Sequence, residues 1–404
     1  MEAQILLLLA ATLFGYGLLA RKIDQADITA PMVFTLAGIV SGPLMLGWVD
    51  TQLSNPGIML VAELTLAIVL FSDASRIRRR HLIQFERFPI RLLAIGLPLT
   101  ILCGAVIAHW LLGVSWLFAF ILATILTPTD AALAQSVMDK KEIDRNLRRS
   151  INVESGLNDG IALPLLLMLL ALMTLAGGEQ LDGFYWAEFI SLQLILGTLS
   201  GIVIGRLGSY LINHAHNSRW ISPMYQRLSS ISLAIIAFSL AEILHGNGFI
   251  AVFLAGLFMQ SRHKVVIARI KEFGEAEGQL LTLAVFFIFG AVFIPGAWRA
   301  ITIESVIYAL LSLTLIRMLP VWISLTGTKL ELKSKTFLAW FGPRGIASIL
   351  YLLLLLEHTT LADAELKKDA ALQLLYSTAT LTIFISIFLH GASTSFWNRL
   401  FRKN

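Results

Sequence analysis

Thirteen apolar stretches run through this chain, at about residues 4–19, 30–48, 57–73, 92–113, 115–138, 149–176, 187–212, 226–244, 248–261, 278–295, 301–325, 334–356 and 371–396. Most reach the ~20 residues that carry a helix across the hydrocarbon core of a bilayer. Nothing in that medium bonds a free backbone N–H or C=O, so each stretch must close its own hydrogen bonds as an α-helix. Of the 404 residues 57% are hydrophobic and 14% charged, where soluble domains carry ~25% charged. The polar surface that a soluble fold of this length needs is missing. The class is therefore an all-α polytopic membrane protein with about 13 transmembrane helices, in a single domain over 1–404.

The cations set its orientation. At and after the ends of the odd-numbered spans stand 26 of the 31 Lys and Arg, among them Arg78, Arg79, Arg80, Lys140, Lys141, Lys264 and Arg402. The even-numbered spans are followed by three, Arg299, Lys367 and Lys368. Positive-inside bias then puts the N-terminus outside and the C-terminus in the cytoplasm. The net charge of +5 is explained by cytoplasmic loops meeting anionic membrane lipids, and no nucleic-acid partner is implied. Met1-Glu2-Ala3-Gln4 lacks the basic region of a signal peptide, so the first span is expected to be retained. No soluble domain is expected beyond the last span. A single cysteine, Cys103, excludes an intrachain disulfide.

Two spans are interrupted. The fifth carries Thr127-Pro128-Thr129-Asp130 and the twelfth Phe341-Gly342-Pro343-Arg344-Gly345. Proline removes an N–H and clashes with the preceding turn, and glycine loosens what remains. The two breaks correspond if helices one to six (about 4–176) repeat as eight to thirteen (about 226–396), with 187–212 as connector. The offset of seven is odd, so the repeat is inverted. Paired broken helices in an inverted repeat point to a transporter's midplane site. Ordinary proline kinks are the plainer account of either break, but each break here also carries a charge.

Charge inside the spans is sparse. Arg317 and Arg344 are the two basic residues well inside, with six acids at similar depth: Glu63, Asp73, Asp130, Glu154, Asp159 and Glu242. A charge at the bilayer centre costs roughly 2.5–3.5 kcal/mol by insertion scales, so this set marks an ion pathway. In the sixth span, Glu154, Ser155, Asn158 and Asp159 fall within an arc of ~140° at helical spacing. Hard cations want oxygen ligands, and the Pro128 break would add carbonyls beside Asp130. A buried carboxylate can also hold a proton near neutral pH. One site would take either a cation or a proton, which is the basis of antiport.

The Thr127–Asp130 segment, Glu154-Ser155-Gly156-Leu157-Asn158-Asp159-Gly160 and Gly342-Pro343-Arg344-Gly345, in that order over thirteen spans, resemble the sodium–proton exchanger family in its prokaryotic NhaP-like branch. The resemblance implies that Asp159 is the central carboxylate binding Na⁺ or H⁺. It implies a monovalent-cation site formed by Asp159, Asp130, Ser155 and Thr129. Asn158 stands where the electrogenic branch has a second aspartate, which resembles the electroneutral exchangers. Glu154 would pair with Arg317 as a structural bridge, Arg344 would offset charge near Asp130, and Asp73 would lie near the cytoplasmic access funnel. A homodimer is implied as well. Ala131 departs from relatives that place a side-chain oxygen there, which bears on ion selectivity.

The expected function is a secondary antiporter, not an enzyme, exchanging Na⁺ (or Li⁺, or K⁺) for H⁺ by alternating access, electroneutral at 1:1, in a bacterial inner membrane. No cofactor is expected. A cation channel or a non-transporting sensor with the same fold are the alternatives. Asp73, just before Arg76, also has a surface ion pair as its plainer account. Glu63 and Glu242 are read as interfacial or helix-packing residues. Histidines 81, 214, 216 and 263 are read as solvated loop residues, and Trp48, Trp110, Trp116, Trp186 and Trp298 as interfacial anchors.

Overall fold

The computed structural model describes residues 2–24, 28–48, 56–76, 87–130, 133, 143–175, 183–259, 263–362 and 369–402. Among these residues the secondary structure is entirely helical. Seven helices are long and apolar enough to cross a membrane, and six shorter apolar helices accompany them. Each of the thirteen apolar stretches carries one of these helices, so the chain is a multi-pass membrane protein.

In chain order these are α1 (Glu2–Asp24), α2 (Ala30–Ser41), α3 (Pro56–Arg76), α4 (Phe88–Leu112), α5 (Trp116–Ile125), α6 (Arg145–Leu175) and α7 (Gly183–Asn217). Then follow α8 (Pro223–Ile243), α9 (Gly248–Phe258), α10 (Lys264–Ile288) and α11 (Ile303–Ser324). The twelfth span is split into α12 (Leu332–Trp340) and α13 (Ile346–Ala362), ahead of α14 (Ala370–Ala392) and α15 (Thr394–Arg402). The chain divides into two compact units, one of residues 1–59, 87–158 and 283–404, the other of 60–86 and 159–282.

The first unit holds both breaks. Helix α5 ends at Ile125, and Leu126–Asp130 continue without helix. Residues 131–132 and 134–142, which include most of the rest of the expected fifth span, lie outside the described residues. Between α12 and α13, Phe341–Gly345 are likewise non-helical. Helix α11 also breaks, at Thr314 (φ −115°, ψ −91°). Its far end is closed by Arg91, whose Nε and Nη2 donate to the Ser324 and Thr326 carbonyls at 2.6 Å each. Helix α15 lays Trp397 and Phe401 against Phe337 at the end of α12, with ring centroids 5.4 and 5.1 Å away.

The second unit shows how apolar helices bind each other where lipid is as greasy as leucine. There the gain comes from close backbone approach at small residues. Gly197, Gly201 and Gly205 stand four apart on α7, facing Asn247, Ala251 and Ala255 along α9. A Cβ on Gly197 would come within 2.7 Å of the Asn247 carbonyl oxygen, and one on Gly205 within 2.5 Å of that of Ala255. Glu242 accepts the Gly248 N–H at 2.9 Å and Asn247 Oδ1 accepts that of Ile250 at 2.9 Å, so both cap the start of α9. Glu242 thus has the helix-packing role expected of it.

Gly201→Val should therefore lower stability by about 1–3 kcal/mol, the usual cost of overpacking. Thermal melts in detergent should show this drop, with Leu199→Val, at an exposed position of the same helix, close to wild type. Equal melts for the two variants would mean that α7 and α9 do not meet through this stripe.

Candidate functional site at the crossing of two broken helices

The two breaks meet. The Asp130 N–H donates to the Pro343 carbonyl at 2.8 Å, and the Ile346 N–H donates to Asp130 Oδ2 at 3.0 Å. Ile346 opens α13, so the Asp130 carboxylate sits on a helix N-terminus, where free N–H groups and the helix dipole favour an anion. The approach is so close that a Cβ on Gly345 would overlap the carboxylate. Glycine is required there for this reason.

Arg344 serves the opposite ends. Its Nη1 donates to the Gly342 carbonyl at 2.9 Å and reaches that of Thr127 at 3.5 Å, while Nη2 lies 3.5 Å from the Ser312 carbonyl. These carbonyls come from the ends of α12 and α5 and from α11 just before its break. The guanidinium is completely buried. A planar fork with five donors suits three carbonyls approaching from different helices. It stands at the second helix break, and its guanidinium bonds backbone carbonyls.

Helix α6 supplies the rest. Glu154 Oε1 receives Arg317 Nη2 at 2.5 Å, with both side chains buried. The expected pair is present and ties α6 to α11. A Cβ on Gly342 would meet Arg317 Nε at 2.5 Å, so Arg317 also lies against the α12 break. The next residue, Ser155, donates its Oγ–H to the Thr129 carbonyl, and one turn on Asn158 Nδ2 donates to Thr129 Oγ1 at 2.7 Å. Asn158 Oδ1 is buried and has no hydrogen-bond donor among the described residues. Asp159 is the next residue of α6 and is buried, a turn along the helix from Ser155.

The structure thus brings Thr129, Asp130, Glu154, Ser155, Asn158, Arg317 and Arg344 together, with Asp159 following on the same helix. Asp73 lies on α3, and its side chain is outside the described residues. Glu63 is half-buried on α3. His216 Nδ1 lies 3.0 Å from Gln226 Nε2, and its ring is 4.5 Å from that of His263; His81 is outside the described residues. Trp110, Trp116 and Trp298 are exposed.

Sequence reasoning passed over three participants. The Ser312 carbonyl becomes available because α11 breaks at Thr314, and Pro320 gave no signal of it, since its missing N–H would free the Ile316 carbonyl instead. Ser386 Oγ accepts the Arg344 N–H at 2.7 Å, and His390 lies beside it at 3.1 Å. Their spacing of four on one span was the available cue.

The family profile described as "Sodium/hydrogen exchanger, transmembrane" matches residues 8–399. The chain belongs to the sodium/hydrogen exchanger family. That family consists of transporters rather than enzymes. Among its relatives, the K(+)/H(+) antiporter NhaP of Alkalimonas amylolytica is 27% identical over 357 residues, covering 87% of this chain and 60% of that protein. The K(+)/H(+) antiporter NhaP2 of Shewanella oneidensis is 25% identical over 388 residues, covering 95% of this chain and 64% of the relative. The chain therefore spans under two thirds of the length of these curated relatives. The sodium proton antiporter MjNhaP1 from Methanocaldococcus jannaschii superposes with a TM-score of 0.81 at 19% identity, covering 100% of this chain and 99% of the other. That likeness establishes the fold.

Removing one member of the Glu154–Arg317 pair leaves an uncompensated buried charge, at a cost of about 3–5 kcal/mol. Glu154→Gln or Arg317→Met alone should thus destabilise more than the two together. A double-mutant cycle on thermal melts in detergent measures this. Additive losses would show that the pair carries no coupling.

Proposed function

We propose that this chain is a secondary antiporter that exchanges a monovalent cation for protons by alternating access. The observation that carries the reading is the oxygen cluster at the break. Ser155 and Asn158 of α6 both hold on to Thr129, and among the described residues the buried Asn158 Oδ1 keeps an acceptor site without a donor. An acceptor buried without a donor costs ~1–3 kcal/mol, and a hard cation or a water molecule at that oxygen relieves the cost. Asp159, beside it on the helix, is the carboxylate to which we assign the alternating load of cation and proton. Asp130 contributes through its position on the α13 N-terminus, and Thr129 and Ser155 contribute oxygen.

The charges of the crossing support a single exchanging carboxylate. Arg317 is matched by Glu154, Arg344 by carbonyl ends, and Asp130 by a helix N-terminus. Asn158 adds no charge. One cation should then trade for one proton with no net charge moved. The cargo in this reading is Na⁺ or Li⁺, with K⁺ brought forward by the names of the NhaP and NhaP2 relatives. We further infer a homodimer in a bacterial inner membrane, with the N-terminus outside, the C-terminus in the cytoplasm and Asp73 near the cytoplasmic entrance. The resemblance and the distribution of basic loops support these points. Membership in a family of exchangers counts against the channel and sensor readings.

In proteoliposomes, a Na⁺, Li⁺ or K⁺ gradient should drive saturable proton movement, and Asp159→Asn should abolish it while the protein stays folded. Full exchange by that variant would overturn the assignment of Asp159. Each uncompensated charge would couple the cycle to voltage by ~2.3 kcal/mol per 100 mV, so the wild type should give no steady current on solid-supported membranes. A steady current that reverses with an imposed potential would refute the 1:1 stoichiometry.

A further inference from the structure

His390 is a fully buried histidine with no part in the exchange chemistry described above. It lies on α14, four residues beyond Ser386, and Thr378 and Thr382 continue the same spacing upward. All four are buried. The lower pair meets the break between α12 and α13.

A helix that stops leaves carbonyls on one side and N–H groups on the other without partners. Trp340 is the last residue of α12, and its carbonyl lies 3.1 Å from His390 Nε2. Arg344 lies just before α13, and its N–H donates to Ser386 Oγ at 2.7 Å. Ser386 Oγ is in turn 3.1 Å from His390 Nδ1. The histidine and the serine together therefore span the gap, from the last carbonyl of one half-helix to an amide leading into the other.

One ring proton follows from its partner. A carbonyl can only accept, so Nε2 must carry a proton toward Trp340. Nδ1 lies 3.1 Å from both the hydroxyl and the backbone carbonyl of Ser386, so it can accept from the one or donate to the other. The links are Arg344 N–H to Ser386 Oγ, Ser386 to His390 Nδ1, and His390 Nε2–H to the Trp340 carbonyl. The Trp340 indole N–H, donating to Ser393 Oγ at 2.9 Å, anchors the same residue to the end of α14.

We propose that His390, acting through Ser386, is a positioning residue of the exchange site: a clasp across the twelfth-span break that fixes where Arg344 and the α13 N-terminus stand. The inference rests on the exchange reading given above. The clasp touches no cargo; it sets the backbone from which Arg344 reaches its carbonyls and on which the Asp130 carboxylate rests. Loosening it should displace the Asp130–Thr129 segment and weaken cation binding at Thr129 and Ser155, while leaving the proton-carrying group itself intact.

The test is cation-driven proton movement in proteoliposomes, read as half-saturating cation concentration against maximal rate, with detergent melts alongside. Ser386→Ala and His390→Leu should raise the half-saturating concentration by roughly five- to thirtyfold, the ratio that one or two kcal/mol carries. The maximal rate should fall less. His390→Gln, whose side-chain amide can still donate to the Trp340 carbonyl, should recover most of the loss. If His390→Leu does not fold, Ser386→Ala carries the test, since it removes one oxygen and no bulk. Lowered melting with a wild-type half-saturating concentration would make the clasp mere scaffold and overturn the proposal. So would His390→Gln behaving no better than His390→Leu. Absence of exchange in the wild type would instead remove the antiporter reading on which the clasp depends.

Discussion

A helix that stops inside a bilayer leaves backbone groups with no water to bond, each costing several kcal/mol. This protein stops two helices at one place, and the crossing is built from the remedies. The Asp130 carboxylate covers the N-terminus of α13, and the Arg344 guanidinium covers carbonyls at the ends of α12 and α5 and at the break in α11. The two side chains do for the helix ends what water does at a surface. Replacing either with an apolar residue would expose the groups that it now satisfies. The breaks and the charges are therefore one feature, and neither is stable without the other.

The rest of the first unit is arranged around that crossing. Helix α6 is held to α11 by Glu154 and Arg317 and to the fifth-span break by Ser155 and Asn158. The residue that follows, Asp159, is the one to which we assign the exchange. In our proposal the fixed charges cancel within the crossing, so the protein needs the cargo to balance Asp159 and nothing else. The same economy explains why an amide at position 158 suits the site. It supplies an oxygen and a donor without adding a charge that would have to be offset.

Much of this was legible because the bilayer admits so few solutions. Thirteen apolar stretches had to be helices, because lipid leaves the backbone no other way to close its hydrogen bonds. Thr127-Pro128 and Gly342-Pro343 announced the breaks, and the charge beside each marked them as more than kinks. Glu154 and Arg317 were paired through the family resemblance alone, since nothing in their spacing brings residues on two distant spans together. The partners of Arg344 were hidden for a different reason. They are backbone carbonyls, which every residue owns, and only the path of the chain decides which ones are free. His390 and Ser386 were lost among the ordinary Ser, Thr and His of an apolar span, where a hydroxyl usually bonds its own helix one turn back, as Thr382 does with the Thr378 carbonyl.

The central claim is that the oxygens around Asn158 and Ser155 hold the transported cation. Electron cryomicroscopy of the protein in nanodiscs with thallium(I), a dense stand-in for a monovalent cation, addresses it most directly. The account predicts thallium density in coordination with Asn158 Oδ1 and Ser155 Oγ, lost in Asp159→Asn. Strong thallium density elsewhere in the bundle, touching neither residue, would contradict it.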